Sequence, residues 1–199
     1  MRQLVHPMTR HLDLGCGARP RNPYQRDELF GIDIVGHGAQ VLRANLAVAP
    51  IPFEDDHFDS VSAYDFLEHV PRVLPTADGA DTRFPFIELM NEIWRVLKEG
   101  GRFYASTPVY PAPQVFVDPT HVNVLTNETH GYFTRPALGA GVYGFKGDFA
   151  LLRTQLCAPT PDTLYLPIPT GTMERMRHKR RMRRGECSHI VWEFEARKA

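Results

Sequence analysis

Two carboxylates and a pair of glycines are the first residues with evident chemical potential. Asp13 lies within His11-Leu12-Asp13-Leu14-Gly15-Cys16-Gly17, and Asp33 closes Leu29-Phe30-Gly31-Ile32-Asp33-Ile34. An acid at the tip of an apolar run is costly to bury unless it meets donors or a cation. Glycines just beyond it let backbone approach a ligand where any Cβ would collide. Asp13 is therefore expected to orient a positively charged group. Asp33 is expected to accept ribose hydroxyls, each charged hydrogen bond contributing about 1.5–3 kcal/mol. A nicotinamide site also uses a glycine turn and a following acid, but here Pro20 stands where the third glycine of G-x-G-x-x-G belongs. Asp13 would also repel a pyrophosphate. The pattern favours a cationic nucleoside without phosphate.

Other reactive side chains admit two readings. Cys16, between the glycines, reads as a small residue tolerated in the turn, since no patterned base accompanies it. Glu68-His69 has the look of an acid/base pair. His121, in Asp118-Pro119-Thr120-His121, is the candidate general base because its ordinary pKa lies near neutrality; the competing reading is that it bonds backbone and fixes the loop after Pro119. Tyr110, Tyr132 and Phe133 form either an acceptor pocket or part of the core. Arg175, Arg177, Lys179, Arg180, Arg181, Arg183 and Arg184 crowd the segment Met173 to Arg184. That segment is either a solvated charged face or a site for polyanions such as RNA. Its cations alternate with Met173, Met176 and Met182 rather than with aromatics that stack on bases.

The elements that must position these residues are legible from the apolar pattern. Strands are expected at the two acidic motifs, at Val41 to Leu46, at Phe58 to Tyr64 and at Arg102 to Pro108. Pro20 and Pro23 argue against a long helix in the first crossover. Ile87, Met90, Ile93, Trp94 and Leu97 recur at helical spacing within Phe86 to Lys98, and Glu99-Gly100-Gly101 is the expected stop. Between Pro71 and Pro85 runs a loop long enough for a lid or binding loop. Glu128 to Phe133 suggests a short helix. Phe149 to Leu156 and Ile190 to Ala196 alternate as strands, and the last can return antiparallel between its neighbours.

With 199 residues the chain has room for one α/β domain, 1–199, with a basic insertion near 173–184. Lys plus Arg number 23 and Asp plus Glu also 23, so global charge points to neither nucleic acid nor membrane. The first ten residues have no apolar h-region and no run is long enough to span a bilayer, the pattern of a cytoplasmic protein. The three cysteines are widely spaced, without metal-ligand spacing, so free thiols and no metal site are expected.

Taken together, Leu12-Asp13-Leu14-Gly15-Cys16-Gly17, Gly31-Ile32-Asp33, Pro50-Ile51-Pro52-Phe53 with Phe58-Asp59, Leu67-Glu68-His69-Val70 and Glu92 to Gly101 resemble the successive motifs of the type 11 class I S-adenosyl-L-methionine (SAM) dependent methyltransferases. The segment containing Asp118-Pro119-Thr120-His121 is similar to a small bacterial-type subgroup of them. The resemblance implies a Rossmann-like fold: a seven-stranded, mostly parallel sheet with a reversed last strand and helices on both faces. It implies SAM as cofactor, bordered by Asp13, Gly15, Cys16 and Gly17, with Asp33 on the ribose, Ile34 against adenine and Asn45-Leu46 at the adenine edge. Asn45 departs from the family's usual acid there. Asp65 and Phe66 would line the pocket near the reactive methyl, and the Glu68-His69 motif would mostly anchor a helix beside the cofactor. The expected activity is methyl transfer to a small-molecule acceptor. The alternatives are an RNA methyltransferase using Arg175 to Arg184, or a non-catalytic SAM-binding module.

Overall fold

The computed structural model describes residues 7–158 and 164–198; the N-terminal 1–6, part of the leader reading above, lie outside them. In chain order the elements are β1 (Arg10–Leu14), β2 (Glu28–Asp33), β3 (Val41–Arg43), β4 (Phe58–Tyr64), β5 (Leu74–Pro75), β6 (Thr82–Arg83), α1 (Pro85–Val96), β7 (Leu97–Pro108), α2 (Gln114–Val117), β8 (Phe149–Cys157), α3 (Thr172–Arg183) and β9 (His189–Ala196). One sheet takes seven strands in the order β3-β2-β1-β4-β7-β9-β8. β1, β2, β3, β4 and β7 run parallel, whereas β9 inserts antiparallel between β7 and β8. The reversed last strand expected from sequence is β9.

Alternation along the strands gives the sheet two unlike faces. On one, Leu12, Leu14, Ile32, Val61, Ala63, Phe103, Ala105, Trp192 and Phe194 join Phe86, Leu89, Met90, Ile93 and Val96 of α1 in a single buried cluster. Pro85 opens α1, where its missing N–H costs nothing. The helix ends at Val96 rather than at the glycines, and Leu97 is already extended. The glycines instead serve a break in register: Phe58 pairs with Leu97 and Ser60 with Arg102, so the intervening residues, with Gly100 at φ +70°, loop out of the ladder.

The opposite face is polar yet buried. Asp13, Ser62, Tyr104, Glu193 and Arg153 lie side by side across successive strands, with His11 and Ser60 in the adjoining row. Tyr24 and Leu166 pack on Tyr64, Tyr104, Cys157 and Val191 there, and the Arg21 guanidinium lies 4.6 Å over the Tyr64 ring. No residue of α1, α2 or α3 belongs to that apolar cluster. Loops 15–27 and 164–169 cover this face. The cause is the one read from Pro20 and Pro23. The first crossover has no helix, and Asn22 pins it by accepting the Arg26 N–H at 2.9 Å and donating to the Arg26 carbonyl at 2.8 Å.

The lid candidate, Pro71 to Pro85, contains the two-stranded ribbon β5-β6. A cleft of about 580 Å³ opens beside it, among Arg72, Phe84, Asn123 and Tyr132. The basic segment is the helix α3, none of whose residues is buried. It sits in the connection between β8 and β9, whose ends Cys157 and His189 pair beside Pro108, at the carboxyl edge of β7. Among the described residues no helix is long and apolar enough to cross a membrane.

Candidate active site

The parallel strands deliver the sequence-predicted residues to one edge. Gly15 turns the chain at φ +62°, its N–H bonded to the Ile32 carbonyl at 2.9 Å, and Gly17 follows at φ +58°. Both values lie in the left-handed region that glycine adopts without a Cβ clash. Asp33 caps β2. Its Oδ2 accepts the Gly17 N–H at 2.8 Å and its Oδ1 the Val35 N–H at 3.0 Å, so one carboxylate ties the glycine turn to the end of the second strand. Each oxygen keeps a free lone pair for a further donor. Beside it, Ile34 and Val35 are 62% and 55% exposed, large apolar side chains left bare at a polar edge. A Cβ built on Gly17 meets nothing within 4 Å.

Asn45 lies in the exposed turn after β3, its Oδ1 capping the Ala47 N–H at 3.1 Å, so its amide nitrogen stays available. Leu46, at 7% exposure, belongs to the core, which leaves only its backbone for a ligand. Asp65 follows β4 at φ +48° and its carboxylate lies 3.2 Å from His189 Nε2. The Phe66 ring fills the space in front of Gly15: a Cβ there would lie 2.5 Å from Phe66 Cδ2. Cys16 donates to the Gly17 carbonyl at 3.3 Å, and burial pushes its thiol up to about 12, the behaviour of an inert turn residue.

Asp13 lies beneath the turn. It is 1% exposed and spends both oxygens within the protein, Oδ1 accepting Ser62 Oγ–H at 2.6 Å and Oδ2 the Arg21 N–H at 2.7 Å. Burial pushes its carboxyl up to about 7. It steadies the loop from beneath through Ser62 and the Arg21 N–H, contacts that a sequence separating them from Asp13 does not display.

Glu68 and His69 stand on the single turn Leu67–His69 after β4. The D-P-T-H segment is clamped to that turn, because the N–H groups of Val122 and Asn123 both donate to the Glu68 carbonyl at 2.9 Å. His121 faces two groups. Nδ1 is 3.1 Å from the Val115 carbonyl, which fixes the loop, and Nε2 lies 4.0 Å from Glu68 Oε1. Of the three aromatics offered as an acceptor pocket, Phe133 is core, while Tyr110 and Tyr132 are exposed. The approach of His69 to His121 was hidden from sequence by the distance between them along the chain.

Residues 12–105 match a family model described as a methyltransferase domain. A SAM-dependent methyltransferase from Archaeoglobus fulgidus superposes with a TM-score of 0.56 at 16% identity, over 94% of this chain and 86% of that one. One from Mesorhizobium loti does so at 0.52 and 16%, over 96% and 93%. The [4+2]-cyclase SpnF shares the fold at 0.53 and 16%, over 100% and 78%. No curated protein matches the chain. The strand order and these structural neighbours give the chain the class I methyltransferase fold. Its first half carries the methyltransferase domain signature, and SAM is the cofactor that this implies. The residues fit that group: Asp33 has lone pairs left for the ribose, Ile34 and Val35 offer apolar surface to the adenine, and the space before Gly17 admits the methionyl part.

Proposed function

We propose that the protein transfers the methyl group of SAM to a small-molecule acceptor at the carboxyl edge of the sheet. The observation that carries the reading is the joint hold of Asp33 on Gly17 and Val35, which sets a carboxylate and a close-approach turn side by side. The cofactor supplies an activated methyl. The protein's part is to hold donor and acceptor in line, with Asp33, Gly15 and Gly17 fixing the cofactor, Asn45 reaching its adenine edge and Asp65 and Phe66 bounding the acceptor side. His121, whose Nδ1 faces the Val115 carbonyl, offers Nε2 as proton acceptor. Tyr110 and the cleft beside Arg72 and Tyr132 supply surface for the acceptor.

Support for one cytoplasmic domain comes from a sheet built from residues near both ends of the chain, and from three cysteines that are all free thiols. The position of α3 at the carboxyl edge is the feature that speaks for an RNA acceptor; binding to RNA that does not weaken with salt dismisses it. Calorimetry with SAM and S-adenosylhomocysteine, followed by transfer of labelled methyl to a panel of hydroxyl and amine compounds, tests the main reading. A filled site without turnover favours a binding module.

A further inference from the structure

Glu68, His69 and His121 bring one potential ligand atom each within 4.8 Å of the others. The two rings meet edge to face, centroids 4.8 Å apart. Glu68 is 1% exposed; its Oε2 accepts Thr107 Oγ–H at 2.8 Å, whereas Oε1 has no hydrogen-bond partner. A buried carboxylate oxygen without a donor is costly, and such an atom in a native fold calls for an explanation.

Proton accounting supplies it. His121 Nδ1 faces the Val115 carbonyl, an acceptor only, so Nδ1 holds the ring proton and Nε2 is a lone pair. His69 Nδ1 lies 2.9 Å from Thr120 Oγ1. That hydroxyl gives its one proton to Asp118 Oδ1 at 2.7 Å, and Asp118 is held below the usual carboxylate range by Thr120. Thr120 therefore accepts from His69 Nδ1, and His69 Nε2 is a lone pair too. With both rings as these neutral tautomers, three acceptor atoms share one corner. One bound cation satisfies all three.

We propose that Glu68 Oε1 and the Nε2 atoms of His69 and His121 bind one divalent transition-metal ion, of the Zn²⁺, Mn²⁺ or Fe²⁺ type. Two imidazoles and a carboxylate suit these ions better than Mg²⁺ or Ca²⁺, which prefer oxygen throughout. Metal–ligand bonds of about 2.0–2.2 Å place ligand atoms about 3–3.5 Å apart, so side-chain rotation must draw in both the 4.0 Å between His121 Nε2 and Glu68 Oε1 and the 4.8 Å that bounds the group. Val115, Thr120 and Asp118 are then the outer partners that orient ligating histidines. The D-P-T-H segment thus gains a role for each polar residue.

Three protein ligands leave coordination positions open for a further ligand. If the methyl-transfer reading holds, the acceptor is a compound whose hydroxyl oxygen coordinates the ion. Coordination lowers the pKa of that hydroxyl, its proton passes to solvent, and the oxygen forms its bond to the methyl carbon as the carbon–sulfur bond breaks. His121 is then a ligand in place of a free base.

The test is calorimetric titration of the chelator-stripped full chain with Zn²⁺ and Mn²⁺, with S-adenosylhomocysteine titrated in parallel. One equivalent should bind to the native chain, at least 100-fold weaker to Glu68→Gln and His121→Gln. Thr120→Val, which removes only the hydroxyl orienting His69, should bind about 10–100-fold weaker and keeps the test decisive if Glu68→Gln does not fold. Absence of one-equivalent binding by the native chain, or unchanged affinity in His121→Gln, overturns the site. Metal binding without S-adenosylhomocysteine binding overturns the methyl-transfer reading and leaves the site standing.

Discussion

His11 and Asp13, on the same face of β1, are joined through one hydroxyl: His11 Nε2 lies 2.8 Å from Ser62 Oγ, which donates to Asp13 Oδ1 at 2.6 Å. Because Ser62 has one proton, His11 must donate from Nε2 and accept from Ser60 Oγ–H at Nδ1, 2.8 Å away. Burial acts on both groups and in opposite senses, lowering His11 to about 3 and raising Asp13 to about 7. Asp13 in the folded state holds its proton more tightly than in the unfolded chain, so its contribution falls as pH rises from about 4 to 7. His11 is held neutral, so its contribution is lost as pH falls from about 6.5 toward 3. Asp13→Asn keeps an acceptor for the Arg21 N–H while removing the first effect. Denaturation midpoints of both proteins at pH 5 and pH 8 should show the variant gaining on the native chain at the higher pH. An equal difference at both values would contradict the assignment.

The two glycines of the turn should separate folding from binding. Alanine at either position costs about 1–2 kcal/mol for the left-handed backbone. At Gly15 the new Cβ also meets the Phe66 ring at 2.5 Å, adding about 1–3 kcal/mol of overpacking. At Gly17 it meets no protein atom within 4 Å, so the excess appears only when the cofactor arrives. Thermal melts should rank Gly15→Ala well below Gly17→Ala. Calorimetry should show that Gly17→Ala nevertheless loses affinity for S-adenosylhomocysteine.

Across the sheet from Asp13, Arg153 and Glu193 form a buried ion pair at 3.2 Å. Glu193 also receives the hydroxyls of Tyr24 at 2.8 Å and Tyr165 at 2.9 Å, so it holds down the loops that stand in for helices on this face. Removing its charge strands a buried guanidinium. Glu193→Gln should lose about 3–5 kcal/mol in urea denaturation, whereas replacing both partners with methionine should cost less than the sum of the single changes. Additive losses would show that the pair does not act as a unit.

How far the sequence predicted these arrangements depended on distance along the chain. The strands around Leu12, Ile32 and Val61 were legible because apolar residues run along them, and Pro20 with Pro23 foretold a crossover without a helix. Asp33 and Gly17 were legible as residues at strand ends, although the hydrogen bond between them was not. The bonds of Asp13 to Ser62 and the Arg21 N–H were not legible, because those partners come from other segments. The polar face was announced only by the alternation of Ser60 and Ser62 in β4, a weak signal when the covering loops are unknown. Glu68 and His121 meet because Val122 and Asn123 dock on a single carbonyl, a contact that no periodicity encodes.

Asp33 should prove decisive for cofactor binding, and in graded fashion. Its two oxygens already serve Gly17 and Val35, so the carboxylate is held in place before any ligand arrives. Two ribose hydroxyls donating to it contribute about 1.5–3 kcal/mol each, and losing both corresponds to a weakening of at least 100-fold. Asp33→Ala forfeits these bonds and frees the glycine turn, so both affinity and thermal stability should fall. Asp33→Asn keeps one acceptor oxygen but sets its amide N–H₂ against one of the backbone N–H groups. It should bind S-adenosylhomocysteine with intermediate affinity. If calorimetry finds Asp33→Ala and the native chain alike, the ribose is held elsewhere, and the carboxylate serves only to close the turn at Gly17.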